Sequence, residues 1–144
     1  MDRTRVQKLP SATAAYIAGL IDGEGTITLT REHSTENKRL VVSISNTERA
    51  LLDFARDSIG AGKITNKRTY SEKHTPSYAY KITNRQALSL LEQIAKYLRS
   101  YKRGRATLAL KTYISVTPRN GRYTAKLQAA REQFEKAFFD ISPK

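Results

Sequence analysis

A short stretch near the start of the chain joins an apolar helix pattern to an acidic, glycine-flanked turn. Small residues recur four apart at Ala15, Gly19 and Gly23, so they share one face of the helix. Small side chains let two helix backbones approach closely, an effect best described for membrane helices but steric in origin. The spacing therefore predicts that this face packs against another helix. The alternative is that it packs against the chain's own sheet.

Two carboxylates, Asp22 and Glu24, stand at the predicted C-terminal end of this helix. The helix dipole is negative at that end, so acidic side chains are unfavourable there. Hard divalent cations such as Mg²⁺ prefer carboxylate and backbone carbonyl oxygens as ligands. We therefore expect this end of the helix to hold a cation.

The nonapeptide over residues 17–25, Ile-Ala-Gly-Leu-Ile-Asp-Gly-Glu-Gly, resembles the motif of the LAGLIDADG homing endonucleases, and Thr26-Ile27 also fits. It departs from the motif by Ile for the first Leu, Gly for the second Ala and Glu for the second Asp. The last change, at Glu24, keeps the carboxylate on a longer side chain. The alternative interpretation is an ordinary apolar helix that ends in a turn.

The order of predicted elements matches the αββαββα core of that family. Hydrophobic periodicity and turn residues divide the chain into these elements. Ser11 is expected to cap the first helix, and Asn84 a later one. The predicted helices cover about 12–22, 46–59, 84–98, 106–116 and 123–139, and the strands about 26–31, 40–45, 63–70 and 77–83. We predict an α+β fold with a four-stranded antiparallel, saddle-shaped sheet and extra C-terminal helices, formed by residues 1–144 as a single domain.

The charge balance points to a polyanionic partner. The 144 residues include 26 Lys and Arg against 13 Asp and Glu, a net charge of +13 with a pI near 10.2. No acidic residue occurs between Gln93 and Arg131. Ribosomal proteins share this balance, so charge alone does not select an enzyme.

Composition also limits the compartment and the partners. The chain has no cysteine, which excludes disulfides and Cys-based zinc sites and is compatible with a reducing compartment. The one apolar run, residues 14–21, is too short to cross a bilayer. We expect a soluble intracellular protein without a membrane partner or organic cofactor, and the sequence does not distinguish an organelle from a bacterial cytoplasm.

The nonapeptide occurs once, and the resemblance gives that count a meaning. Long members of the family carry two motifs on one chain, whereas single-motif chains pair as homodimers whose motif helices cross at the centre. The resemblance therefore implies a homodimer. The predicted motif and interface residues are Ala15, Ala18, Gly19 and Asp22.

In the family the saddle-shaped sheets lie along the DNA major groove, where each base pair shows a distinct pattern of donors and acceptors. Two-fold symmetry then implies a long, partly palindromic site in double-stranded DNA. Strand alternation places hydroxyl and basic side chains on the face away from the core, although an ordinary solvated strand face is the alternative for each residue. The predicted DNA-binding residues are Thr26, Thr28, Thr30, Glu32, Arg39, Ser43, Ser45, Lys63, Thr65, Lys67, Thr69, Ser77 and Lys81.

The resemblance also assigns the chemistry. Phosphodiester hydrolysis needs a metal that polarises the phosphate, a nucleophilic water and stabilisation of the developing charge. Glu24 and the carbonyl of Gly23 match the family's metal ligands, with Mg²⁺ expected and Mn²⁺ or Ca²⁺ able to occupy the site. Lys102 matches a lysine near the active-site waters, and Asn46 lies near a solvent-ordering polar residue. Asp22 is interpreted as a turn or helix-end residue.

Three functions remain open from the sequence. The leading hypothesis is a homodimeric, Mg²⁺-dependent, site-specific DNA endonuclease that makes the double-strand break of intron homing. The second is a non-cleaving intron RNA maturase or DNA-binding regulator of the same fold. The third is an unrelated ribosomal or RNA-binding protein. The sequence does not reveal the target site, the intron or the host genome.

Overall fold

A computed structural model describes residues 5–66 and 75–144. Five helices and four strands follow one another within these residues. They are α1 (Ser11–Glu24), β1 (Gly25–Thr30), β2 (Arg39–Asn46), α2 (Arg49–Ile59), β3 (Lys63–Asn66), β4 (Tyr78–Thr83), α3 (Asn84–Ile94), α4 (Lys102–Thr112) and α5 (Ala125–Asp140). Short 3₁₀ turns at Ala95–Tyr97 and Ile114–Val116 precede and follow α4. This order confirms the predicted αββαββα core with additional C-terminal helices.

The four strands form one antiparallel sheet in the order β1-β2-β4-β3. Its helix-covered face contributes apolar side chains to the core, and the strand residues between them form the other face, here called the open face. The period of two places each side chain on the face that its position in the strand predicts. Residues on the helix-covered face include Ile27, Leu29, Val42, Ile44, Tyr80 and Ile82, all buried.

Two predicted caps are wrong. α1 begins at Ser11 itself, with Pro10 as the preceding N-cap residue and no side-chain capping bond; the Pro10 carbonyl accepts from the Ala14 amide at 2.9 Å. α3 begins at Asn84, which adopts a left-handed φ of 53°, while Thr83 is the N-cap residue. The Asn84 Oδ1 instead accepts a hydrogen bond from the Tyr113 hydroxyl at 2.6 Å. Asn84 therefore bonds to a distant residue rather than to its own helix.

Several boundaries and burial predictions also need correction. α4 begins at Lys102, four residues before the predicted start. Backbone hydrogen bonds such as that from the Gly104 amide to the Tyr101 carbonyl make the basic segment 99–105, here called the basic turn, continuous with the helix. Phe54 fits the apolar helical pattern of Leu52 and Ile59, which predicts burial, but it is 45% exposed and packs edge-on against Tyr16 with 5.4 Å between ring centroids. Ile114, in the 3₁₀ turn after α4, is 59% exposed.

The third and fourth strands are shorter in the described residues than predicted. β3 is described only to Asn66, so the rest of its predicted length lies outside the described residues. β4 begins at Tyr78, one residue after the predicted Ser77. Within 5–66 and 75–144, no helix combines the length and apolar character needed to cross a membrane.

Candidate metal centre and nucleic-acid interface

The two sides of α1 have different surroundings. One side, formed by Ala14, Ile17, Ala18 and Ile21, is buried in the core of the chain. The other side carries the small residues Ala15, Gly19 and Gly23, which are exposed. A Cβ added at either glycine would meet nothing within 4 Å. The small-residue side therefore does not pack against the chain's own sheet.

Two of the predicted interface residues do not lie on this exposed side. Ala18 is fully buried among core residues, so its place in the motif serves packing within the subunit. Asp22 is half-buried and faces the chain that leads into α4. Helical spacing explains Ala18, which is about 100° around the helix from Gly19, whereas Asp22 lies at the border of the exposed side and turns toward Ser100.

The Asp22 carboxylate is fully engaged by the turn before α4. It accepts hydrogen bonds from the Arg99 amide at 2.8 Å, the Ser100 amide at 3.1 Å and the Ser100 hydroxyl at 2.5 Å. Burial raises the pKa of this carboxyl, but the bonds from Ser100 and Arg99 and the charge of Lys102 outweigh it, so the pKa of Asp22 lies below its ordinary value. Asp22 thus joins the end of α1 to a turn almost eighty residues later in the chain.

Lys102 is buried at the same helix end, with 8% of its surface exposed. Its Nζ donates to the carbonyls of Ile21 and Asp22, each at 2.9 Å. Burial lowers the pKa of the Lys102 ammonium, and the Asp22 carboxylate partly opposes that shift. A cation at this position complements the negative end of the helix dipole and adds a donor to the Asp22 carbonyl and to the Ile21 carbonyl, which also accepts from the Gly25 amide.

Glu24 differs from both neighbours. It is the last residue of α1, it is exposed, and it makes no hydrogen bond or ion pair with any described residue. The next residue must be glycine, because a Cβ at Gly25 would lie 2.7 Å from the Ser43 carbonyl oxygen and 2.8 Å from the Ile21 Cα. This close approach carries the chain directly from α1 into β1.

The donor set at this end suits a hard cation only in part. The exposed Glu24 carboxylate and the adjacent Gly23 carbonyl are oxygen donors of the kind that Mg²⁺ takes. Within the described ranges no group of three or more His, Cys, Asp or Glu side chains could enclose an ion. One chain therefore offers an incomplete site, which a phosphate, water or a second carboxylate would complete.

Asn46 ends β2 two residues beyond Ile44, which pairs with Gly25 at the end of α1. It lies on the helix-covered side of the sheet, and its Oδ1 accepts from the Glu48 amide at 2.8 Å in the turn before α2. No hydrogen bond in the described part of the chain joins it to Glu24 or Lys102. Among the described residues, hydrogen bonds therefore do not join the three predicted catalytic side chains to one another.

The open face of the sheet gathers most of the predicted DNA-binding residues. Strand register aligns them in rows across the sheet, of which one contains Thr26, Ser43, Lys81 and Lys63. The Thr26 and Ser43 hydroxyls are 2.6 Å apart, and Arg39 at the end of the face pairs with Glu32 at 2.7 Å. The remaining predicted residues on this face are Thr28, Thr30, Ser45 and Thr65.

A few positions on or near the open face differ from the prediction. Val41 and Ala79 belong to it but are buried, at 7% and 3% exposure. Ser77 precedes the strand that was expected to contain it. Lys67 and Thr69 lie outside the described residues.

A sequence profile described as "LAGLIDADG-like domain" matches residues 11–101, which is more than half of the chain. The chain belongs to the LAGLIDADG-like domain family. This membership confirms the resemblance that the nonapeptide indicated. A comparison with curated protein sequences gave no match.

Solved structures share the LAGLIDADG fold with this chain. The homing endonuclease I-CvuI in complex with its target in the presence of Ca has a TM-score of 0.74 and 18% identity, covering 92% of this chain and 83% of that one. I-CvuI in complex with the I-CreI target in the presence of Mg, with the DNA not cleaved, gives 0.73 and 19%, covering 91% and 82%. The I-LtrWI LAGLIDADG homing endonuclease bound to target DNA gives 0.65 and 18%, covering 87% and 44%.

Two residues of this LAGLIDADG chain were missed by sequence reasoning. Ser100 bonds to Asp22 through both its amide and its hydroxyl, and it also accepts from the Lys102 amide at 3.2 Å. The sequence indicated Ser100 only by its position in the basic turn. Thr83 lies on the open face opposite Val41, and the alternation that selected Lys81 would also have selected Thr83.

Proposed function

We propose that this LAGLIDADG chain is a homodimeric, metal-dependent, site-specific DNA endonuclease that makes the double-strand break of intron homing. The observation that carries the proposal is the contrast at the end of α1. The side chains of Asp22 and Lys102 form hydrogen bonds that fix the end of α1 within the fold. Glu24 projects from the same end without a partner among the described residues. Because the end of the helix is fixed and its Glu24 carboxylate has no hydrogen-bond partner, this carboxylate is suited to bind a metal ion.

The exposed side of α1 supports the homodimer. Ala15, Gly19 and Gly23 leave room for a second helix backbone at close range, and the exposed Tyr16 and Phe54 rings stand beside them. This chain covers 44% of I-LtrWI, the relation expected if such a chain contains two of these units. We propose that residues 1–144 act as one domain and that two copies supply the two units.

The open face supports binding to duplex DNA. Its hydroxyl and basic side chains can donate to base edges and phosphates, and its strands have the dimensions of a ribbon that enters the major groove. The I-CvuI and I-LtrWI structures contain target DNA. A two-fold dimer of this chain would read a long, partly palindromic site.

The residues at the end of α1 have separate proposed roles in metal binding and in positioning. Glu24 and the Gly23 carbonyl would hold Mg²⁺, or Mn²⁺ or Ca²⁺ in its place, and the bound ion supplies polarisation of the phosphate and activation of water. Asp22 and Ser100 fix the turn that carries Lys102, and Lys102 fixes the last carbonyls of the helix. These contacts limit the positions that Glu24 can reach. Lys102 is therefore assigned a positioning role.

The test uses the full chain, a randomised duplex library and Mg²⁺, with sequencing of the cut ends. We expect double-strand cuts at one partly palindromic site by the wild type. Glu24→Gln should remove the cuts while binding to the selected duplex persists, because the amide keeps the size of the side chain and loses its charge. Glu132→Gln, at an exposed position of α5, is the matched control and should cut normally. Undiminished cutting by Glu24→Gln would refute the assignment of the metal ligand.

One observation favours a second function, a non-cleaving maturase or DNA-binding regulator. Of the three predicted catalytic side chains, Asn46 is bonded within a turn and Lys102 within the fold, so Glu24 alone is open. The same library identifies a regulator, and a separate binding assay with intron RNA identifies a maturase. Selective retention of one duplex without cutting in Mg²⁺ would indicate a regulator, and binding of intron RNA without DNA cutting would indicate a maturase.

A further inference from the structure

Two concave surfaces adjoin at the end of the sheet where α3 begins. The first is a groove on the open face whose lining includes Lys63, Lys81 and Arg39. The second is a cavity of about 600 Å³ whose lining includes Arg85, Thr117 and Arg119. Both are lined by Thr83 and Gln86. A single depression therefore runs from the open face of the sheet over the start of α3.

The second surface carries positive charge without a carboxylate. Its described lining contains Arg85 and Arg119 and no acidic residue. The Arg85 Nη2 donates to the Thr117 carbonyl at 2.8 Å, a bond that orients the guanidinium but does not neutralise it. In the first groove, by contrast, Glu32 pairs with Arg39 at 2.7 Å. The lining of the first groove, with Arg39, Lys63 and Lys81 against Glu32, and that of the second surface therefore each carry a net charge of +2, so positive charge continues along the whole depression.

The wall of this cavity is held by long-range bonds. Asn84 has a left-handed φ of 53°, a conformation that non-glycine residues seldom adopt. Its Oδ1 accepts from the Tyr113 hydroxyl, whose oxygen in turn accepts from the Leu40 amide at 3.1 Å. Arg85, next to Asn84, therefore projects from a fixed piece of backbone.

We propose that Arg85 and Arg119 form a phosphate anchor for the part of the duplex that extends beyond the open face. The inference rests on the proposed function, since it takes the DNA to lie on that face. Guanidinium groups match the geometry of phosphate oxygens, and phosphate contacts fix the position of a protein on DNA without reading its sequence. The continuity of the two surfaces makes a DNA strand the ligand of this cavity. Arg85 and Arg119 set affinity and register, and the open face reads the bases.

The first experiment measures binding to the selected duplex over a series of salt concentrations. Each phosphate contact adds about 0.9 to the slope of log K against log salt. Because two copies bind the duplex, Arg119→Gln removes two contacts and should lower the slope by about 1.8, and it should weaken binding equally to all base variants of the site. Arg119→Lys should retain most of the slope. Lys136→Gln, which removes an exposed positive charge from α5 outside both concave surfaces, is the matched control and should leave the slope unchanged.

The second experiment shortens the duplex stepwise from both ends. The wild type should lose affinity at the length that removes the anchored phosphates, whereas Arg119→Gln should lose none at that step. An unchanged salt slope in Arg119→Gln, together with the same length dependence as the wild type, would overturn the anchor and leave the endonuclease proposal standing. Failure of the wild type to bind any duplex would overturn both.

Discussion

The two sides of α1 contain similar small and apolar residues but have opposite surroundings. Ile17 and Ala18 have no exposed surface, whereas Gly19 is exposed and a Cβ built on it would meet nothing within 4 Å. A helix that is apolar or small on all sides is normally one that is enclosed on all sides. The comparison teaches that one side stabilises the subunit and the other is left for a partner. Substitutions at the two sides should therefore change different measurements.

The largest loss of stability is expected on the inward side. Ile17→Ala removes a fully buried side chain and leaves a cavity, so the free energy of unfolding should fall by about 2–5 kcal/mol. Urea denaturation at fixed protein concentration would measure it. Tyr16→Ala, on the neighbouring exposed position, is the control and should cost less. Equal losses would contradict the division of α1 into two sides.

The next largest effect is expected where α1 ends. Lys102→Met removes two hydrogen bonds from a charged donor to the Ile21 and Asp22 carbonyls, and the Asp22 carbonyl has no other described partner. Stability should fall by about 1–3 kcal/mol. Thermal denaturation checks this value. Lys96→Met, at an exposed position of a 3₁₀ turn, should be nearly neutral.

A smaller effect is expected from the carboxylate at the same end. Asp22→Asn replaces an acceptor of three hydrogen bonds by an amide that can accept only through its oxygen, so stability should fall by about 1–2 kcal/mol. Asp140→Asn, exposed at the end of α5, provides the reference in the same urea titration. If the two variants unfold together, the bonds between Asp22 and the turn before α4 contribute little.

The smallest change in subunit stability is expected on the outward side. Gly19→Leu adds a side chain where space is open and helix propensity improves, so stability should change by less than about 1 kcal/mol. The same variant should abolish self-association in sedimentation experiments, because a large side chain prevents close approach of two helices. Ser89→Leu adds the same group to an exposed site of α3 and should associate like the wild type. Retained association of Gly19→Leu would refute this side of α1 as the interface.

The fold was largely predictable because its signals are local. Alternation along residues 26–30 and 40–45 assigned strand faces correctly, since a period of two leaves each side chain only one choice. The nonapeptide identified the helix that contributes most to the candidate site. Glycines also marked the end of α2, where Gly60 adopts a left-handed φ of 79°.

The candidate site was less predictable because its contacts are distant in sequence. The bonds of Asp22 to Ser100 and of Lys102 to Ile21 join segments about eighty residues apart, and neither periodicity nor composition records such pairs. Asn84 was expected to cap its helix, but its side chain instead accepts a hydrogen bond from Tyr113, which follows α4. Phe54 fits an apolar helical pattern, but it packs against Tyr16, which is itself exposed, so the two rings lie at the surface.

The absence of a Cβ at Gly25 has a mechanical consequence. A Cβ there would lie 2.7 Å from the Ser43 oxygen in β2 and 2.8 Å from the Ile21 Cα in α1, so the backbones of α1 and β2 approach each other closely where α1 joins β1. We therefore expect α1 and β1 to move together. A change in the angle at which another helix crosses α1 would tilt β1 by a matching amount and shift its threonines along the surface that they face.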